Sequence, residues 1–286
     1  MVTLGSVAMQ SAAAEMWECI VVDNNSADDT RQRVEAFAKE HDKLNIHYVF
    51  ESNQGLSHSR NAGIAASTGD IVAFIDDDER IVEEFITAYI ELFDTHADAM
   101  AAGGKIIAEY PTGRPRWMSR YTEQPIANPM DFGTEIRPFP AGRIPGGGNM
   151  AMRRSLFKSV GVFNTALGRT GKRLLGGEES DLFERIAKGG YKVYYAPRAV
   201  MYHIIPKEKL TQEYLSRLSY NVGVSQLRRA RYYHRIGRVK FKECIKWAIT
   251  IALMAWYGIT LQWSKAKYLF IMRRQISRGL WSKNIM

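Results

Sequence analysis

Three adjacent aspartates, Asp76, Asp77 and Asp78, follow directly on an apolar run from Ile71 to Ile75. Carboxylates a few ångströms apart raise one another's pKa unless a cation neutralises them. A strand ending in carboxylates also presents them where open α/β sheets hold their ligands. The chemistry open to such a triplet is to bind a divalent metal carrying an anionic ligand, for example a nucleotide diphosphate. Acidic capping of a solvated strand end is the plainer alternative. Further along, Gly146-Gly147-Gly148 removes side chains from a stretch of backbone, which suits either close approach to a ligand or a tight turn.

The elements that must position these residues alternate in type. The spacing predicts a strand at Cys19 to Val22, a helix from about Asp28 with Val34, Phe37, Ala38 and His41 on one face, and a strand over Asn45 to Glu51. A short helix in "QGLSHSRNAGIAAS", the strand "DIVAFI", the amphipathic helix "VEEFITAYIELF" and a glycine-interrupted strand in "AMAAGGKIIAEY" follow. Such alternation points to an α/β fold with a mostly parallel sheet covered by helices. From Pro111 to Pro145 no period is sustained, and prolines, glycines and the aromatics Trp117, Tyr121, Phe132 and Phe139 dominate. A loop of that length is expected to be functional or disordered, and its aromatics argue against simple disorder. "YKVYYAPRAVMYHI" reads as two short extended segments.

The chain of 286 residues is 46% hydrophobic and 24% charged, enough apolar material for a sizeable core. Much of its net charge of +9 falls after Lys207. The two cysteines, Cys19 and Cys244, lie far apart and suit a reducing compartment. No signal peptide is visible at the N-terminus. Near the other end, "WAITIALMAWYGITLQWS" is eighteen uncharged residues flanked by Lys240, Lys242 and Lys246 before it and Lys265, Lys267, Arg273 and Arg274 after it. The length is borderline for a membrane span. The flanking bases favour a peripheral or monotopic helix or a re-entrant hairpin on an anionic leaflet, with a single transmembrane helix or a packed C-terminal helix as alternatives. Their symmetry gives no orientation, and the cytoplasmic face is the expected location. Lipid is a better partner for this segment than nucleic acid, because an apolar helix adjoins the bases.

The ordered motifs "VVDNNSADDT", "NQGLSHSRNAGI", "GDIVAFIDDDE", "GGGNMAMRR", "GGEESDLFERI" and "MYH", from about Trp17 to His203, closely resemble the family 2 glycosyltransferases, which have a GT-A fold. The resemblance implies transfer of a sugar from a nucleotide-diphospho-sugar donor to a glycan or lipid-linked acceptor, usually with inversion, assisted by Mn²⁺ or Mg²⁺. By the family pattern Asp23 contacts the base, Asp76 the ribose, and Arg60 the nucleotide. Asp78 ligates the metal, and His203 can complete its coordination. Asp77 lies between the two and tunes the field. Gly147 and Gly148 border the donor sugar and acceptor, and the Pro111 to Pro145 loop is the natural acceptor-side lid, its aromatics available to stack on sugar rings. Glu179 is the expected base; the family usually has Glu-Asp where this chain has Glu178-Glu179.

Each of these residues also has a plainer reading: a helix N-cap for Asp23, a surface ion pair for Arg60, a structural role for His203, and dipole compensation for both glutamates. The family's usual first strand has no counterpart before Cys19, and Val2 to Ala14 resembles the later part of the helix that follows it, so truncation is expected. The expected division is a catalytic domain over 1–206 and a basic, apolar helical segment over 207–286. An inactive membrane-associated sugar-nucleotide-binding scaffold and a sugar nucleotidyltransferase are the competing functions.

Overall fold

A computed structural model describes residues 1–171 and 174–283. In chain order its elements are α1 (Val2–Ala8), β1 (Cys19–Asp23), α2 (Thr30–Glu40), β2 (Ile46–Phe50), α3 (Leu56–Ala66), β3 (Ile71–Phe74), β4 (Glu79–Ile81), α4 (Phe85–Thr95) and β5 (Ala99–Glu109). They continue with α5 (Arg120–Ala127), β6 (Arg137–Pro138), β7 (Met150–Arg153), α6 (Arg154–Val160), α7 (Glu178–Lys188) and β8 (Lys192–Ile204). The last three are α8 (Gln212–Tyr232), α9 (Ile236–Ile259) and α10 (Trp263–Leu280). Two compact units form. The first comprises Met1–Ile107, Met130–Gly171 and Glu178–His203; the second comprises Ala108–Pro129, residues 174–177 and residues 204–283.

The first unit is α/β, and its strand pairs run in both senses. β1 and β2 pair in parallel as a two-stranded sheet, with Cys19 opposite Ile46 and Asp23 opposite Phe50. A second sheet runs β3-β7-β5-β8-β4, with β6 also on β8. Within it the β3–β7, β5–β7, β4–β8 and β6–β8 pairs are antiparallel. Helix α4 shows why the core forms. Phe85, Ala88, Tyr89, Leu92 and Phe93 recur at steps of three and four, and all five are buried against β5 and β8 residues such as Ala99, Ala102, Ala199 and Met201. A fully buried leucine such as Leu92 contributes about 1.5–3 kcal/mol. A second cluster joins Leu182, Phe183 and Ile186 of α7 to Met150 and Met152 of β7 and Leu156 of α6.

Three expectations need correction. The glycines of β5 do not break it, since the strand is continuous over Ala99–Glu109. Instead, a Cβ on Gly103 would crowd Pro145 and Phe139, and one on Gly104 would overlap the Ala199 carbonyl and the Asn149 side chain. The segment read as two short strands is the single thirteen-residue strand β8. And the Pro111–Pro145 stretch is not a lid of free rings. It contains α5, opened by a reciprocal Ser119–Thr122 capping box, and Met130 bridges to Ile106. Three of its four named aromatics are committed to other rings, Trp117 stacking on Tyr268 at 4.2 Å and Phe132 and Phe139 packing edge-on to each other and to Tyr195, while Tyr121 meets the Arg120 guanidinium.

The second unit packs α8 against α10, with Leu215, Leu218, Leu269, Met272 and Ile276 in its core together with Met118 and Ile126. The contact is close because two glycines meet: a Cβ on Gly223 would strike the Ile276 carbonyl, and one on Gly279 the Tyr220 carbonyl. The eighteen-residue uncharged run is broken at Thr260–Gln262, where Leu261 adopts φ 56° and α9 gives way to α10. Among the described residues no helix is long and apolar enough to cross a membrane.

Candidate active site

The carboxylate triplet lies in the turn between β3 and β4, and it is joined by a fourth acid. Glu79, the first residue of β4, is buried, and its Oε2 accepts the Asp76 backbone N–H at 2.8 Å. Burial first, then the charges of Asp76 and Asp78, push its pKa well above the ordinary carboxylate range. Antiparallel pairing of β4 with β8 sets Glu79 opposite His203. The same register brings the His203 Nε2 to 3.6 Å from Asp78 Oδ2. Asp77 is the exposed member of the three. Its carbonyl and that of Glu79 share the Thr3 hydroxyl, at 2.8 and 2.6 Å, which pins the turn to α1.

Arg60 is the centre of the site. It projects from α3, is buried, and faces three carboxylates: Glu179 at 2.9 Å, Asp76 at 3.3 Å and Glu178 at 3.5 Å. Its helix is fixed at its start and at its middle. Asn24 at the end of β1 accepts the Gly55 N–H at 2.6 Å, and Asn61 exchanges two hydrogen bonds of 2.9 Å with the Phe163 backbone. The glycine run now has a local cause. A Cβ on Gly147 would overlap the Glu179 carboxylate and the Arg60 guanidinium, and one on Gly148 would overlap the Glu79 carboxylate. The turn therefore lies flat against the charged groups.

The two glutamates at the start of α7 differ electrically. Glu178 is buried, and burial followed by the neighbouring Glu179 charge pushes its pKa up to about 8, so it holds a proton at neutral pH. Glu179 is half-buried; burial would raise its pKa, but Arg60 outweighs that and keeps it below the ordinary range. Burial likewise opposes the Arg60 charge, and the three carboxylates overcome it and raise its pKa. Two atoms of this cluster are buried without a hydrogen-bond partner, Arg60 Nε and Glu178 Oε2. Orphaned polar atoms of this kind are uncommon in folded proteins and gather where a ligand or water completes the site.

Asp23 stands apart from the cluster. It accepts hydrogen bonds from the Tyr48 hydroxyl at 2.7 Å and the Ser26 N–H at 2.9 Å. Burial would raise its pKa, but these bonds together hold it low. It does not cap α2, whose N-cap is Asp29. The structure thus brings Arg60, Asp76, Gly147, Gly148 and Glu179 together, pairs Asp78 with His203, and ties Asp23 to Tyr48 at the end of the separate β1–β2 sheet.

Residues 2–161, more than half of the chain, match the model of glycosyl transferase family 2. The chain belongs to that family. It is a glycosyltransferase. Among curated proteins it is 27% identical over 233 residues to a glucosyl-dolichyl phosphate glucuronosyltransferase of Haloferax volcanii, which covers 77% of this chain and 71% of that one. It is 28% identical over 207 residues to the succinoglycan biosynthesis protein ExoM of Rhizobium meliloti, which covers 71% of this chain and 62% of the relative. A solved mannosyltransferase, PcManGT from Pyrobaculum calidifontis in complex with GDP-Man and Mn²⁺, superposes with a TM-score of 0.62 at 19% identity over 99% of this chain and 83% of that one. The likeness shows the fold, which is of the GT-A type.

Two residues of this glycosyltransferase were not singled out from sequence, and a third, Glu178, was read only as the partner of Glu179. Glu79 sits beside three flagged acids, so in sequence it reads as excess charge. Asn149 follows the glycine run and is buried. Its side chain accepts the Tyr89 hydroxyl at 2.6 Å and donates to the Lys105 and Ala199 carbonyls at 2.9 Å. It locks the glycine turn to β5 and β8. Whether the site suits a divalent cation can be tested on its donors. Among the described residues no group of three or more His, Cys, Asp or Glu side chains is placed to hold a metal. Asp78 and His203 form an acid–imidazole pair 3.6 Å apart, near enough for both side chains to reach one ion after a small adjustment. Such a pair fits a cation that completes its coordination with phosphate oxygens rather than one held in an all-protein cage.

Proposed function

We propose that this chain transfers a sugar, with inversion, from a nucleotide-diphospho-sugar to a hydroxyl of a glycan or lipid-linked acceptor. The observation that carries this reading is the contrast between Glu178 and Glu179: one is buried with its pKa pushed up, the other is half-buried and held ionised by Arg60 beside a glycine turn. An ionised, accessible carboxylate at a helix start is what a general base requires. The acceptor oxygen attacks the anomeric carbon, its proton passes to Glu179, and the bond to the diphosphate oxygen breaks with the electron pair leaving on the nucleoside diphosphate. Arg60 orients Glu179 and offers its unpartnered Nε to an anionic ligand. Asp78 and His203 would hold Mn²⁺ or Mg²⁺, which when bound neutralises charge developing on the leaving diphosphate. Asp76 and Asp23 are assigned to the ribose and base, and Asp77 to tuning the local field.

The family supports the reaction class, and the names of the relatives support the substrates. One is a glucosyl-dolichyl phosphate glucuronosyltransferase, and the solved neighbour is in complex with GDP-Man and Mn²⁺. Calorimetric titration of UDP, GDP and dTDP, with and without Mn²⁺, into the chain and into Asp78→Ala tests the reading. The expected result is metal-dependent binding of one nucleotide that falls at least about tenfold in the variant. A folded chain that binds none of the three under either condition would sink it.

A further inference from the structure

Helix α9 carries apolar residues on its outward face as well as its inward one. Its inward stripe, Glu243, Trp247, Thr250, Met254 and Tyr257, recurs at steps of three and four and carries a buried glutamate and a buried threonine. Its outward stripe carries Phe241, Ile245, Ile249, Trp256 and Ile259, with Ile249 54%, Trp256 60% and Ile259 77% exposed. At 3.6 residues per turn these five fall within a band about 80° wide, and at 1.5 Å per residue they extend for about 27 Å. The band continues through the turn into α10 with Leu261 and Trp263, both exposed. An apolar helix face is normally the buried one. A contiguous exposed one marks a contact with a protein or a membrane.

Charge identifies the partner. Residues 204–286 hold seventeen lysines and arginines against three acids, whereas the preceding 203 hold twenty-two against twenty-seven. The whole positive excess therefore lies in the segment that carries the stripe. Arg238, Lys240 and Lys242 stand at one end of it and Lys265 and Lys267 at the other, with no charged residue from Trp247 to Ser264. We propose that α9 and its turn into α10 form an in-plane docking surface for an anionic lipid bilayer. The stripe lies at the boundary between headgroups and acyl chains, and the flanking bases meet lipid phosphates. Trp256 and Trp263, at the α10 end of the stripe, suit that boundary, where an amphipathic ring has both phases within reach. A second copy of the chain would set these bases against their like, whereas an anionic bilayer neutralises them. The surface stands on its own residues and holds whether or not the transfer reading does.

Flotation of the full chain with vesicles of phosphatidylcholine, alone or mixed with phosphatidylglycerol, tests it. The chain should float with the mixed vesicles and much less with the neutral ones, and added salt should release it. Trp256 and Trp263 emission should shift to the blue on binding. Ile249→Glu with Trp256→Glu, and separately Lys240→Glu with Lys242→Glu, should each lower partitioning by at least about tenfold. Both double variants change exposed or half-exposed positions, so thermal melts should match that of the wild type. A chain that floats with neither vesicle, or a stripe variant that floats as well as the wild type, overturns the proposal. Dimers that Ile249→Glu dissociates, with no flotation, assign the face to a second copy instead.

Discussion

The chain buries two arginine–glutamate clusters, and they are built on opposite plans. In the second unit, Arg273 pairs with Glu243 through Nη1 at 3.1 Å, and its Nε reaches Thr250 at 3.3 Å, while Glu243 also accepts the Ser277 hydroxyl at 2.9 Å. One cation meets one anion, and two hydroxyls complete the contacts. In the first unit, Arg60 faces three carboxylates, and two buried polar atoms of the cluster have no partner. The balanced cluster joins two helices. The unbalanced one stores a proton on Glu178, holds Glu179 ionised and leaves donors available for an anion. Charge balance, more than burial or arginine content, separates the structural cluster from the functional one.

That distinction can be broken by substitution. Glu179→Gln takes one charge from an overloaded site, so turnover should fall by roughly 10²–10⁴ while the melting temperature stays near that of the wild type, read from initial rates and calorimetry on the same preparation. Glu243→Leu should do the reverse. It strands Arg273, and urea unfolding should show a loss of about 3–5 kcal/mol, most of it recovered by adding Arg273→Met. Equal stability losses in the two clusters would refute the comparison.

A subtler test uses pH. Below the ordinary carboxylate pKa, Glu178 is protonated in both the folded and the unfolded chain. As pH rises toward about 8 the unfolded chain releases a proton that the folded one keeps, so this group's contribution to stability is lost across that window. Glu178→Gln should therefore match the wild type near pH 5 and exceed it near pH 8, by on the order of a few kcal/mol. A difference that is the same at both pH values would show that Glu178 is ionised in the fold. The smallest effect separates the glycines. Gly148→Ala should cost about 1–3 kcal/mol by overlapping Glu79, whereas Gly237→Ala, in open space on α9, should stabilise by about 0.5–1 kcal/mol.

Much of the site could be read in the sequence because its chemistry is local there. Asp76 to Asp78 end an apolar run, and Glu179 opens a helix that the apolar spacing of Leu182, Phe183 and Ile186 makes plain. What stayed hidden is set by long-range pairing. The burial of Glu79 depends on β8 lying beside it, and the raised pKa of Glu178 is set by its burial, by its neighbour Glu179 and, in opposition, by Arg60, 118 positions away. Strand direction was hidden as well, since alternation of strands and helices gives an α/β fold but not the sense of each pairing. Pro197 made β8 look like two pieces, yet it lies between the stretches that pair with β6 and with β4. Helix α5 is eight residues long and contains Pro125, too little for a period to show.

The pairing of β8 limits how this chain can vary in length. Tyr194 and Tyr195 are registered to β6, and Met201 to His203 are registered to β4. One residue added or lost between those two stretches cannot satisfy both ladders. Successive side chains alternate faces along a strand, so if the β6 register held, the imidazole would be carried to the opposite side from Asp78 and Tyr202 or Ile204 would take its place. Substitutions along β8 can therefore be graded, each by its own packing. A single-codon insertion or deletion there is all-or-none for the histidine, unless a β-bulge absorbs the extra residue.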